Sequence, residues 1–302
     1  MAAAEKVGCR LRRLILLFCL LPALAPAKTF YLIVSGLGGE PDYDLRFSGL
    51  AKEADKSLRG AGGDDSITTL SSPASTKVAV RAALADIARS ATPRDVVAVL
   101  LIGHGSFDGA DYKFNLPGPD LTAAELAQDM NRITATRQLV VDTTSASGAA
   151  LKPLEHAGRI VVTATRDGAE TNATVFARFW VEALHDTSAD TDKNDVVTAL
   201  EAFNFAQRKT AAFYEEQKRI ATEHPVLSDP AKAGQFPVIR FGSAAAAASD
   251  PAKKQLVTKR DDLEAKIDAL KQQKNTLTPE VYKSQLTALL VQLAQTQQEI
   301  DK

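Results

Sequence analysis

Two stretches of sequence, VVAVLLIGHGS at residues 96–106 and QLVVDTTSASG at residues 138–148, decide the fold of this chain. Each begins with a run that is apolar at nearly every position, which is typical of a strand buried on both faces of a parallel sheet. Each then changes abruptly to small and polar residues. This change places His104 and Ser145 just after the carboxyl ends of two strands, where the functional site of such a sheet lies.

Further apolar runs alternate with helical segments on either side of these stretches. This alternation predicts an α/β fold with a mostly parallel sheet flanked by helices. The predicted strands are 30–34, a weaker 67–70, 96–102, 139–141 and 160–162. The predicted helices are 45–58, 76–88, 121–133, 149–156, 173–184 with Asn172 as its N-cap, and 197–222, followed by a candidate edge strand at 236–241.

After its first 27 residues, the chain divides into three parts by composition. Residues 28–243 form the α/β domain, residues 244–252 a linker rich in Ala, and residues 253–302 a segment rich in Lys, Gln, Leu and Glu. Apolar residues of the last part recur at intervals of three and four, and Thr278 followed by Pro279 indicates a helix start. We expect a helical hairpin or coiled coil that could mediate self-association; the alternative is a charged tail that is helical only in part.

Residues 1–27 have the three regions of a secretory signal peptide: basic residues, an apolar run at 14–21, and small residues before the cleavage position. We expect a secreted or periplasmic protein, with an uncleaved anchor as the alternative. Cys9 and Cys19 both lie in this leader, so the mature chain has no cysteine. The formal net charge is −1, and loss of the four Lys/Arg and one Glu of the leader lowers it to −4. No basic field attracts nucleic acid, so we expect no nucleic-acid partner.

The order of the two strand-end motifs resembles that of the legumain and caspase-like cysteine peptidases, over residues 30–184. Legumain-type enzymes have Ala-Cys-Glu-Ser-Gly at the second turn, and matching its Ser-Gly to Ser147 and Gly148 puts Ser145 at the position of the cysteine, with Thr144 as the rival. The resemblance implies that His104 protonates the leaving amine, that the N–H groups of Gly105 and Ser145 form the oxyanion hole, and that residue 145 is the nucleophile.

A serine at the nucleophile position departs from this pattern. A serine hydroxyl is far less acidic than a thiol and needs a closely paired, oriented base. The Gly-x-Ser-x-Gly motif of serine hydrolases is also missing around Ser145, and the sequence offers only Asp108 and Asp142 as acids near His104. We therefore expect a non-catalytic protein of the cell envelope that binds a peptide or protein, with an active hydrolase using Ser145 or Thr144 as the alternative. Each motif alone could also be only a structural turn.

A second motif lies between the last two predicted helices of the domain. Its oxygen-bearing residues occupy positions 1, 3, 5, 7, 9 and 12 of a loop that resembles the calcium loop of an EF-hand. These residues are Asp190, Asp192, Asn194, Val196, Thr198 and Glu201. Position 6 departs, because Asp195 stands where glycine makes the sharp turn. The sequence thus indicates a Ca²⁺ site, and its alternative is a solvated acidic loop that caps the next helix.

Overall fold

The computed structural model describes residues 27–62, 65–250, 252–274 and 276–302. All but the last residue of the predicted signal peptide lies outside the described residues. Within the described part, no helix is long and apolar enough to cross a membrane.

A six-stranded sheet forms the centre of the molecule and confirms the predicted α/β class. Its strands are β1 (Thr29–Ser35), β2 (Ser66–Leu70), β3 (Val96–Ile102), β7 (Arg137–Asp142), β8 (Arg159–Thr163) and β10 (Val226–Leu227). They lie in the order β10-β8-β7-β3-β1-β2. The first five in the chain pair in parallel, and only β10 is antiparallel to its neighbour. The five predicted strands are therefore all present, each within two residues of its predicted bounds.

Helices cover both faces of this sheet, which explains why its strands are apolar throughout. Phe47 and Leu58 belong to the cluster on one face, and Val80 and Met130 belong to the cluster on the other. The first face carries α1 (Pro41–Gly60), α5 (Phe176–Ala183) and α6 (Ala199–Glu216), and the second carries α2 (Lys77–Ser90), α3 (Ala123–Met130) and the short α4 (Leu151–Leu154). The short helix α7 (Pro230–Ala233) follows β10.

Two small antiparallel sheets lie outside the central sheet. One consists of β4 (Gly105–Phe107), β5 (Tyr112–Phe114) and β6 (Leu121–Thr122), and it begins directly after His104. The other pairs β9 (Val196–Thr198) with β11 (Pro237–Arg240). The candidate edge strand at 236–241 thus belongs to this pair and not to the central sheet.

Two helix predictions are wrong in detail. The predicted helix at 149–156 is only the single turn α4, preceded by a 3₁₀ turn at Ser147–Ala150. The predicted cap Asn172 does not begin α5, whose N-cap is Val175. The carboxylate of Glu223 instead accepts the N–H groups of Val175 and Phe176, at 2.7 and 3.1 Å.

The C-terminal segment is the expected antiparallel pair of helices, α9 (Lys254–Gln272) and α10 (Pro279–Ile300). The hydroxyl of Thr278 accepts the N–H of Val281 and caps α10, with Pro279 at its first position as predicted. The expected linker at 244–252 differs from the structure, because α8 (Gly242–Ser249) fills most of it. Arg240 pairs with Asp261 at 2.5 Å and so ties α9 to the domain.

Candidate functional site

His104 lies where predicted, two residues after the end of β3. Its ring packs edge-on against Tyr43 and Phe47 of α1, with ring centroids 4.6 and 5.0 Å away. Burial lowers the pKa of His104, the positive charge of Arg46 lowers it further, and a hydrogen bond with the backbone of Gly38 partly offsets both. Burial and the charge of Arg46 thus favour the neutral imidazole.

Ser145 lies across the sheet edge from His104, after the end of β7, and its hydroxyl is bonded to backbone. Ser145 Oγ donates to the carbonyl oxygen of Gly105 at 2.9 Å and accepts the N–H of Gly105 at 3.2 Å. Only 3% of Ser145 is exposed. Among the described residues, no hydrogen bond joins Ser145 or Thr144 to His104. The structure therefore bonds Ser145 to Gly105, the residue after His104, and not to the histidine side chain.

The rival nucleophile Thr144 is also engaged. Its hydroxyl lies 2.6 Å from the hydroxyl of Tyr112 and donates to the carbonyl oxygen of Ser145 at 3.1 Å. Thr144 is fully buried. The hydroxyl of Thr144 thus already has two hydrogen-bond partners. Because it is buried beneath the turn, it is not accessible to a substrate.

The remaining polar residues of the turn hold it in place. Thr143 Oγ1 donates to Leu101 O at 2.7 Å, and Ser147 Oγ accepts the N–H groups of Ala164 and Thr165. Ala146 adopts a left-handed conformation with φ of +56°, which is uncommon for a residue with a side chain. The turn joins β3, β7 and the segment after β8 into one rigid corner.

The two acids considered as partners of His104 lie elsewhere. Asp108 accepts the N–H groups of Ala110 and Asp111 and pairs with Lys113. Asp142 is fully buried at the end of β7, and its Oδ1 accepts the N–H of Thr144. Burial raises the pKa of Asp142 to about 6, and hydrogen bonds from the side chain of Tyr112 and from Thr144 offset this increase in part. Neither acid orients the histidine.

The acidic loop at 190–201 brings three of its carboxylates into one cluster. Carboxylate oxygens of Asp190, Asp192 and Glu201 all lie within 4.8 Å of one another. Lys193 and Asp195 adopt left-handed conformations with φ of +62° and +63°. Asp195 thereby makes the sharp turn that glycine makes in the calcium loop.

Two of the other loop positions, Asn194 and Thr198, form hydrogen bonds with the same cluster. Asp190 accepts the N–H of Asn194, and the carboxylate of Glu201 accepts both the N–H and the hydroxyl of Thr198. Val196 begins β9 and pairs with Arg240. Burial raises the pKa of Asp192, and the negative charge of Glu201 raises it further. A bound cation would relieve this repulsion between carboxylates.

The structure also gives a reason for Asp195 at position 6. Its carboxylate points away from the cluster and accepts the N–H and the hydroxyl of Ser243 at the start of α8, at 3.1 and 2.6 Å. This role could not be found from the sequence, because the two residues lie 48 positions apart.

No protein-family model and no curated protein matches the chain. Two solved structures are similar to it. One is a Geobacter sulfurreducens protein that was a structural genomics target, at 12% identity and a TM-score of 0.47, covering 72% of this chain and all of that one. The other is the Drosophila initiator caspase Dronc, at 9% identity and a TM-score of 0.45, covering 67% of this chain and 79% of that one.

Proposed function

We propose that this chain is a non-catalytic protein of the cell envelope with a peptidase-like α/β domain, which binds a peptide or protein at the carboxyl edge of its sheet. One observation carries the proposal: the hydroxyl of Ser145 is bonded to the backbone of Gly105 as both donor and acceptor. A serine nucleophile needs a base to take its proton, and here that proton goes to a carbonyl oxygen. The same contact occupies the Gly105 N–H that an oxyanion hole would use.

The surface around His104 supports a binding role. Ligands of open parallel sheets bind at the carboxyl ends of the strands. Leu37, in the loop after β1, is 40% exposed there, and its N–H bonds to the carbonyl of Asn115. An exposed leucine beside a half-buried histidine offers an apolar and a polar contact for a peptide side chain and backbone.

Incubation of the purified chain with a mixed peptide library tests the non-catalytic part. We expect no cleavage by wild type and none by Ser145→Ala. Cleavage by wild type that disappears in both Ser145→Ala and His104→Ala would overturn the proposal. Peptide-array binding tests the second part: Leu37→Lys should reduce binding, whereas Val291→Lys, at a 49% exposed position in the C-terminal helix α10, should not. Equal peptide binding by both variants would exclude the carboxyl edge of the sheet as the binding surface.

A second proposed function is Ca²⁺ binding by the loop at 190–201. The observation that favours it is the pair of left-handed residues, Lys193 and Asp195, which folds three carboxylates into one cluster. Carboxylate oxygens at this spacing suit a hard divalent cation. The ligands would be Asp190, Asp192, Asn194, the backbone of Val196, Thr198 and Glu201. Calorimetric titration of the chain with CaCl₂ tests this function.

A further inference from the structure

The backbone of Lys28, just before β1, is held by a buried carboxylate. The N–H of Lys28 donates to Asp95 Oδ1 at 2.7 Å, and the carbonyl oxygen of Lys28 accepts the N–H of Val96 at 2.9 Å. Ala27, one residue earlier, is exposed. The peptide group of Lys28 is therefore fixed as both donor and acceptor at the start of the sheet.

Asp95 is a buried acid whose hydrogen bonds come from neutral groups. It is 6% exposed, and its Oδ2 accepts the N–H and the hydroxyl of Thr92 at 2.7 and 2.8 Å. The side-chain ammonium of Lys28 lies instead over the ring of Phe30, 5.3 Å from its centroid. A buried carboxylate is normally paired with a cation, so a positive charge at the Lys28 nitrogen would suit this place.

The cleavage position expected from the sequence falls on the peptide bond of that same nitrogen. Ala25 and Ala27 are the small residues three and one before the break that a signal peptidase requires. Hydrolysis consumes one water: the bond between the Ala27 carbonyl carbon and the Lys28 nitrogen breaks, the carbon takes the hydroxyl as a carboxylate, and the nitrogen becomes an ammonium. The neutral N–H that faces Asp95 is thereby converted into a cation.

We propose that removal of the leader between Ala27 and Lys28 creates an ion pair between the new α-ammonium of Lys28 and the carboxylate of Asp95, which stabilises the mature fold. This pair rests on the cell-envelope location that is part of the proposed function, and not on peptide or calcium binding. Its effect is to couple processing of the chain to the stability of the folded domain.

The geometry of the pair is already present. A distance of 2.7 Å lies in the range of a charge-assisted N–H···O bond, so the ammonium can form without movement of the chain. Lys28 is only half-buried, which leaves the other N–H groups of the ammonium open to water and keeps its desolvation cost low. A second carboxylate, that of Asp65, accepts the N–H of the next residue, Thr29, at 3.0 Å and adds negative charge beside the terminus.

The first test determines where the chain is cut. The full chain is exported by a bacterial host, and mass spectrometry of the recovered protein gives its first residue. We expect the mass of residues 28–302. A recovered protein that begins at another residue, or that retains the leader, would overturn the proposal.

The second test compares chains that start at Lys28 and at Ala27, each released from a fusion partner. Both contain every helix and strand of the fold, and they differ by one exposed residue and by whether the Lys28 nitrogen is an ammonium or an amide. In urea unfolding, the folding equilibrium constant should be roughly fivefold or more larger for the chain that starts at Lys28, because bonds between charged groups are stronger. Equal stability of the two chains would contradict the ion pair.

The third test assigns the difference to Asp95. Asp95→Asn removes the charge, so chains with this change should be equally stable whether they start at Lys28 or Ala27, whereas Asp111→Asn, at an exposed position, should keep the difference. Acetylation of the α-amino group of Lys28 restores a neutral N–H without changing a side chain, and it should likewise remove the difference. A difference that persists after Asp95→Asn or after acetylation would overturn the pairing, even where the chain is cut at the expected bond.

Discussion

The hydroxyl of Ser145 and the peptide group of Gly105 bond to each other twice, once in each direction. This pair connects the turn after β7 to the start of β4, 40 residues earlier in the chain. Ser145, which the sequence resemblance matches to a nucleophile, therefore links two strand ends at the corner of the sheet, and its hydroxyl serves the structure.

Ser145→Ala should lower the free energy of unfolding by about 1–3 kcal/mol, because it leaves the N–H and carbonyl groups of Gly105 without this partner. Ser106→Ala is the matched control. Ser106 is exposed and bonds only to Asn115, so its loss should change stability by less than about 0.5 kcal/mol. Urea unfolding of the three proteins measures both values. Equal stability of Ser145→Ala and wild type would contradict the structural role.

Gly105→Ala should destabilise the protein by about 3 kcal/mol or more, because the added methyl group has no space. Its Cβ would lie 2.4 Å from Thr144 Oγ1, 2.5 Å from Ser145 O and 2.7 Å from the ring of Tyr112. Gly49→Ala is the control: a Cβ at Gly49, inside α1, meets nothing within 4 Å. That change should stabilise the protein by about 0.5–1 kcal/mol. Thermal unfolding measures the stability of both variants. If Gly105→Ala is as stable as wild type, the corner of the sheet can open enough to hold the added methyl group.

The central strands could be predicted because burial on both faces makes them apolar at every position. Strands β4 to β6 could not, since they are two or three residues long and pair only with one another. Local sequence likewise suggested Asn172 as the cap of α5. The actual acceptor, Glu223, lies almost 50 residues further along the chain.

The candidate site, too, can be predicted from the sequence only in part. The positions of His104 and Ser145 at strand ends follow from the strand pattern alone. Which atoms their side chains contact does not, because the aromatic rings around His104 come from α1 and the partner of Ser145 comes from β4. The oxygen-bearing residues of the loop at 190–201 can be identified from the sequence, because they all lie within 12 consecutive positions.

The stability of the protein should fall with rising pH through the titration of Asp142. Its folded pKa, about 6, lies above the ordinary value of 3.8, so between these values the folded chain binds more protons than the unfolded chain. The stability due to the protonated carboxyl is present below about pH 4 and is lost as pH rises through about 6. The rise in pKa corresponds to a change of about 3 kcal/mol in the free energy of unfolding.

Asp142→Asn imitates the protonated group and can still accept the N–H of Thr144. Its unfolding free energy relative to wild type should therefore increase by up to about 3 kcal/mol between pH 4 and pH 7. Urea unfolding at both pH values measures this difference, with Asp111→Asn, an exposed aspartate, as the control. Parallel pH profiles for wild type and Asp142→Asn would show that Asp142 does not titrate in this range.

Glu201→Gln should weaken calcium binding at least tenfold, because it removes one of three clustered negative charges and the bidentate ligand. Glutamine can still take part in the capping box with Thr198, so α6 should keep its start. Calorimetry with CaCl₂ should give a dissociation constant of about 10⁻⁴–10⁻³ M for wild type. At ten times that concentration, bound calcium should stabilise the fold by about 1.4 kcal/mol.

Asp192→Asn should weaken calcium binding for the same reason as Glu201→Gln, whereas Asp111→Asn, which removes the same charge at a distant exposed position, should bind like wild type. Thermal unfolding with and without calcium gives an independent measure, since only proteins that bind the ion in the folded state gain stability. If wild type gives no heat at about 10 mM calcium, well above the expected dissociation constant, the loop is an acidic cap of α6 and not a cation site.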